Sequence, residues 1–167
     1  MKARVEKITP PVDSNICKML AGAHYVDSHR VATEYLGRSS LQIWLEHIAK
    51  TPAWINFLMS LRNKLVSTFG LKDLGDLRIS DKASWEYQTG DKVGIFTLIS
   101  LTDKEVILGD NDKHLEVKIS LYKDSSSGES IVISAVVHTH NIFGKIYMLF
   151  VTPVHKLIVP YMLARFR

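Results

Sequence analysis

Residues 130–140 are sheet-like throughout and lead directly into residues 143–167, which read as one long helix. That junction constrains the chain more than any other feature. A long helix after a set of strands, with shorter helices much earlier, calls for a sheet able to receive it. The helix carries Phe143, Ile146, Phe150, Val154, Leu157 and Tyr161 on one stripe, with Lys145, Thr152 and Lys156 roughly opposite. The stripe is expected to lie across the apolar face of the sheet. Pro153 and Pro160 each remove a backbone donor and are expected to bend the helix. A transmembrane span of about 20 residues would fit residues 146–164 by length. His155 and Lys156 at its middle make that costly, which leaves weak peripheral contact of a basic helix with a membrane as the milder alternative.

Upstream, residues 24–33 are strand-like. Ser39 with Gln42 three residues later is a capping box that starts a helix reaching about Lys50. Thr51 reads as the cap of a second helix with Pro52 at its first position. In that second helix Trp54, Phe57, Leu58, Leu61 and Leu65 share one face, and Asn56, Ser60, Asn63 and Ser67 the other. It is expected to pack on something apolar. Arg62 lies beside the stripe, either snorkelling or meeting a buried partner such as Asp27 or a ligand anion. From Ser84 on, short strands alternate with turns: residues 85–87, 93–101, 105–108, 114–122 and the last strand 130–140. In residues 114–122, Leu115, Val117, Ile119 and Leu121 alternate with Glu116, Lys118 and Ser120, giving one dry and one wet face. The half is an antiparallel meander, and no glycine-rich phosphate loop interrupts it.

A chain of 167 residues fits a single domain, residues 1–167, with residues 1–12 read as a flexible N-terminal arm. At that size about 70% of the unfolded surface is buried, so neither disulfide nor metal is needed for folding. The one cysteine, Cys17, forms no internal bridge, and residues 5–12 offer no apolar signal core, so a cytoplasmic location is expected. The net charge of +4 belongs to the terminal helix, whose Lys145, Lys156, Arg165 and Arg167 face no acidic residue; the other 17 basic residues match 17 acidic ones. Four spread cations fall short of a nucleic-acid stripe, and nucleic acid is not expected as a partner.

Several segments recur together in one known group: Asp27-Ser28-His29-Arg30-Val31, then Leu61 to Val66 with Phe69-Gly70-Leu71-Lys72, then Gly90 to Gly94. They continue with Val106 to Leu115, Thr139-His140-Asn141 with Gly144 to Tyr147, and Pro153 to Pro160. On these residues the chain resembles the bacterial domain of unknown function 2867 family, over about residues 13–167. The order strand, two helices, meander and terminal helix resembles the helix-grip fold of the polyketide cyclase, START and birch-pollen-allergen superfamily. The resemblance implies an α+β fold in which a curved antiparallel sheet wraps round the long C-terminal helix, with two short helices after the first strand. It also implies a cavity for a small apolar or amphipathic molecule, by analogy of fold alone.

Candidates for chemistry are few. His138 and His140 project from one strand face and could act as acid and base or share a metal with His114, His155, Asp110 or Asp112. Two histidines closing a strand are a weak metal signal, so no metal and no cofactor is assigned. Asp110-Asn111-Asp112 lacks the glycine and glutamate of a calcium loop and reads as a hairpin turn. Serine chemistry has no nucleophile-elbow pattern. Trp44, Trp54, Phe96 and Tyr147 are candidates to line a cavity, and Arg62, His138, His140 and Asn141 to orient a ligand in it. Three readings follow: a small-molecule-binding domain, an enzyme using His138 or His140 on a hydrophobic substrate, and a protein-interaction module without a cavity.

Overall fold

The computed structural model describes residues 4–67 and 82–165. Among these residues seven strands form one antiparallel sheet: β1 (Val5–Lys7), β2 (Tyr25–Ala32), β3 (Lys92–Val93), β4 (Phe96–Leu101), β5 (Glu105–Asn111), β6 (Leu115–Asp124) and β7 (Ser130–Thr139). Their order is β1-β2-β7-β6-β5-β4-β3, so β3 to β7 run as the expected meander while β2 joins it beside β7. The helices are α1 (Ser40–Ala49), α2 (Ala53–Ser67) and α3 (Ile142–Leu163). The fold is α+β, a curved sheet with a long C-terminal helix and two shorter helices early in the chain, compatible with a helix-grip arrangement.

Register decides which residues meet the helices. Tyr25, Asp27 and His29 pair with Val137, Ala135 and Ile133, and Ala135 pairs with Ile119. Because side chains alternate, all of these share the helix side of the sheet. That side holds the main core, including Val31, Leu41, Ile43, Trp44, Leu108, Leu121, Ile131, Ile133 and Leu163. The opposite face buries a smaller cluster of Ile16, Ile107 and Val136. It is covered by a 3₁₀ turn, Asn15–Met19. Buried Glu105 anchors that turn, its carboxylate accepting from the Asn15 N–H at 2.6 Å, the Ile16 N–H at 3.2 Å and the Ser120 hydroxyl at 2.7 Å. β6 keeps its wet edge on this side, where Lys118 and Glu116 pair at 2.8 Å.

Local chemistry follows the sequence in several places and departs from it in others. The Ser39 and Gln42 capping box is complete, with both reciprocal hydrogen bonds formed. Thr51, in contrast, closes α1 instead of opening α2: its hydroxyl donates to the Ile48 carbonyl at 2.6 Å, and the Pro52 carbonyl accepts the first bonds of α2 from Ile55 and Asn56. Residues 85–87, read as strand, belong to a 3₁₀ turn over Ser84–Glu86 followed by buried Tyr87. The strand expected over 93–101 is split by a hairpin at Gly94, whose φ of 60° suits a tight turn and would strain a residue with a side chain. Within the segment read as a flexible arm, Val5–Lys7 pairs with Val31, Arg30 and His29 as the edge strand β1.

The α3 stripe, and Trp54, Phe57 and Leu61 of the α2 stripe, turn outward, against expectation. On α2, Trp54, Phe57 and Leu61 are 43%, 66% and 43% exposed. On α3 the stripe from Phe143 to Tyr161 is exposed at every position, between 38% at Tyr161 and 74% at Leu157. The side of α3 facing inward carries Gly144, His155, Ile158, Val159, Met162 and Leu163 instead. The physical reason is that α3 is apolar around almost its whole circumference, so periodicity has no single stripe to report. α3 stays helical through Pro153 and Pro160.

Candidate functional site

β2 places three polar side chains in a row on the helix side of the sheet, Tyr25, Asp27 and His29, where neighbouring β7 supplies Val137, Ala135 and Ile133 and β1 supplies Lys7. α3 brings His155 down onto them. The His155 ring meets Tyr25 edge-on with centroids 5.8 Å apart, and its Nδ1 lies 3.3 Å from the Tyr25 hydroxyl. Asp27 is 3% exposed. Its carboxylate has His155 Nδ1 and His29 Nδ1 each at 3.6 Å and Lys7 Nζ at 3.3 Å. These are ion-pair distances, and neither carboxylate oxygen has a hydrogen bond among the described residues. Burial alone would push the Asp27 carboxyl up; His155, His29 and Lys7 together outweigh it and hold it at about 2. The Tyr25 hydroxyl is pushed up to about 12 by burial and by the charge of Asp27.

Beside this cluster lies a cavity of about 130 Å³ between the sheet, α1, the start of α2 and the C-terminal half of α3. Its walls are Ile119, Ile133 and Ala135 from the sheet, Trp44 and Ile48 from α1, Ile55 from α2, and Ile158, Val159, Met162 and Leu163 from α3. Asp27, His155, His47 and Thr51 add the polar groups. Burial, with the nearby charges of Lys50 and Arg165, lowers the His47 imidazole to about 4, so it is neutral at ordinary pH. The volume is close to that of apolar cavities of roughly 150 Å³ that take a benzene ring, and below the usual 300 Å³ of a drug-sized site. The arrangement is a small, largely apolar hollow with an ionised carboxylate in its wall.

The model of a family described as DUF2867, protein of unknown function, matches residues 19–162. The chain belongs to this family. No curated protein and no solved structure matches it. The matched part of the DUF2867 chain holds Asp27, His29, His47 and His155 and leaves out Lys7 with its edge strand.

Of the side chains that the sequence nominated in this DUF2867 protein, the structure brings Trp44 to the cavity wall. Trp54 stands outside it on α2, edge-on to Tyr161 with centroids 5.3 Å apart. The Arg62 side chain lies outside the described residues. Phe96 packs against the main core from β4, and Tyr147 is half-buried on α3; neither reaches the cavity wall. His138 projects to the opposite face of the sheet, where its Nε2 lies 3.0 Å from the Ala21 carbonyl. His140 is exposed past the end of β7, with its Nε2 3.0 Å from Asn111 Oδ1. Asn141 caps α3, its side-chain oxygen accepting from the Gly144 N–H at 3.1 Å. Among the described residues no three His, Cys, Asp or Glu side chains are placed to hold a metal ion. The residues that sequence reasoning passed over are Tyr25, His29 and His47; Asp27 and His155 entered it only in other roles. The missed signal is the alternation Tyr25-x-Asp27-x-His29, three polar groups on one face of a strand-like segment.

Proposed function

We propose that this chain binds a small, largely apolar molecule bearing one hydrogen-bond donor or positive charge, in the cavity between the sheet and α3. The observation that carries the reading is Asp27: a buried, ionised carboxylate in the wall of an otherwise apolar hollow, held at 3.3–3.6 Å by Lys7, His29 and His155. Partners held at ion-pair distance leave the buried carboxylate with hydrogen-bonding capacity to spare, which a ligand donor would fill. Binding is favoured over catalysis because a carboxyl at about 2 is a poor general base near neutral pH. The alternative enzyme reading through His138 and His140 loses support, since His138 lies on the opposite face from the cavity. An interaction module without a cavity fits less well than a domain that has one. Free Cys17 accords with a reducing, cytoplasmic setting.

Benzylamine and toluene make the test, being alike in their ring and different in their donor. Benzylamine is expected to raise the melting temperature more than toluene does, and Asp27→Asn to abolish the difference while leaving any toluene effect. Comparing native and denatured masses of protein purified from its own cells would then reveal a resident compound of that class. If neither probe shifts melting and no compound is released, the cavity is ordinary imperfect packing and the reading fails.

A further inference from the structure

α3 exposes Ile142, Phe143, Ile146, Leu149, Phe150, Val154, Leu157 and Tyr161 along its outer side. At 100° per residue these positions cover an arc of about 140°. Exposed Lys145 and Lys156 fall along one edge of that arc and Arg165 along the other. The edge-on contact of Tyr161 with Trp54 joins this arc to the exposed Trp54, Phe57 and Leu61 of α2. One surface therefore runs across two helices, and residues 50–67 and 142–167 contribute no Asp or Glu to it. Contiguous apolar patches of this extent are uncommon on free-standing domains and mark interaction sites.

We propose that this surface docks onto an anionic lipid bilayer, with α3 lying in the plane of the interface. Charge decides the occupant. A second copy of the chain meeting this patch about a two-fold axis would bring together two surfaces to which residues 50–67 and 142–167 contribute cations and no carboxylate to pair them. Anionic headgroups supply the missing negative charge, the apolar arc enters the acyl boundary, and Lys145 and Lys156 extend from its edge into the headgroup layer. α3 does not cross the bilayer in this arrangement, although its length and composition would allow it. His155, Met162 and Leu163 on its inner side remain engaged with the domain.

Co-sedimentation of the intact protein with vesicles tests the proposal. The protein is expected to partition onto phosphatidylcholine vesicles containing phosphatidylserine, about tenfold less onto phosphatidylcholine alone, and less onto the mixed vesicles at high salt. Lys145→Glu with Lys156→Glu should weaken binding about tenfold or more, at about one elementary attraction lost per lysine. Leu149→Glu, Phe150→Glu and Leu157→Glu together should abolish it, with circular dichroism and melting unchanged because all three side chains face solvent. No binding to mixed vesicles, equal binding to both kinds, or undiminished binding of the triple variant would overturn it. So would a dimer in sedimentation velocity that the triple variant dissociates while vesicles remain unbound, which would assign the surface to a second copy.

Discussion

Asp27 keeps its charge although burial works against it, and burial is also what keeps His47 neutral. Their effects on acid stability fall in different pH windows. The folded-state value of Asp27, about 2, is below its ordinary 3.8, so its contribution is complete above about pH 4 and is lost as pH falls through about 2. His47 at about 4 is also below its ordinary 6.5, but here the unfolded chain takes up a proton that the folded chain refuses. Stability therefore drops as pH falls from about 6.5 to 4, by roughly 3 kcal/mol at full size. His29, lowered chiefly by burial, acts in the same sense. We expect His47→Gln to shrink the fall in melting temperature between about pH 7 and pH 4.5. A fall as large as in the unaltered protein would mean that His47 is already protonated in the fold. Neither environment can be read from the chain, since His47 sits in an ordinary amphipathic helix and Asp27 in an ordinary strand.

At the level of elements, α3 is held by its first turn. Asn141 caps it and also donates through Nδ2 to the Lys113 carbonyl at 2.9 Å, while the His140 N–H donates to the His114 carbonyl at 2.7 Å. Gly144 makes this close approach possible, because a Cβ there would collide with the backbone carbonyl of His114. Alanine is the better helix former by about 1 kcal/mol, yet overpacking against a backbone atom costs 1–3 kcal/mol, about as much or more. Gly144→Ala is thus expected to lower the urea midpoint despite its helix propensity, and Asn141→Ala to cost about 1 kcal/mol through the lost cap. An unchanged midpoint in Gly144→Ala would show that the helix start can move aside. Elements with local signals were legible: the capping box of α1, the turn residues of the meander, the alternation in β6. The burial sides of α2 and α3 were not, because helices rich in apolar residues on several sides offer the core more than one face.

For the whole molecule, sheet order sets the distribution of stability. β6 lies centrally between β5 and β7, and both faces of β7 are buried, whereas β1 and β3 are edge strands of three and two residues. Amide exchange is expected to be slowest in β5, β6 and β7 and fastest among the strands in β1 and β3. Equal protection across the sheet would argue that the edges are covered by something beyond it. Sequence by itself determined the α+β class, the antiparallel meander and the terminal helix, because alternation, turn residues and capping act over a few neighbouring positions. Only the tertiary structure decided that β2 joins the sheet beside β7, and that His155 descends onto Tyr25 from 130 residues away. It likewise decided which face of α3 stays outside. Those outcomes depend on register and on competition between apolar surfaces of the assembled chain, and no local pattern encodes that competition.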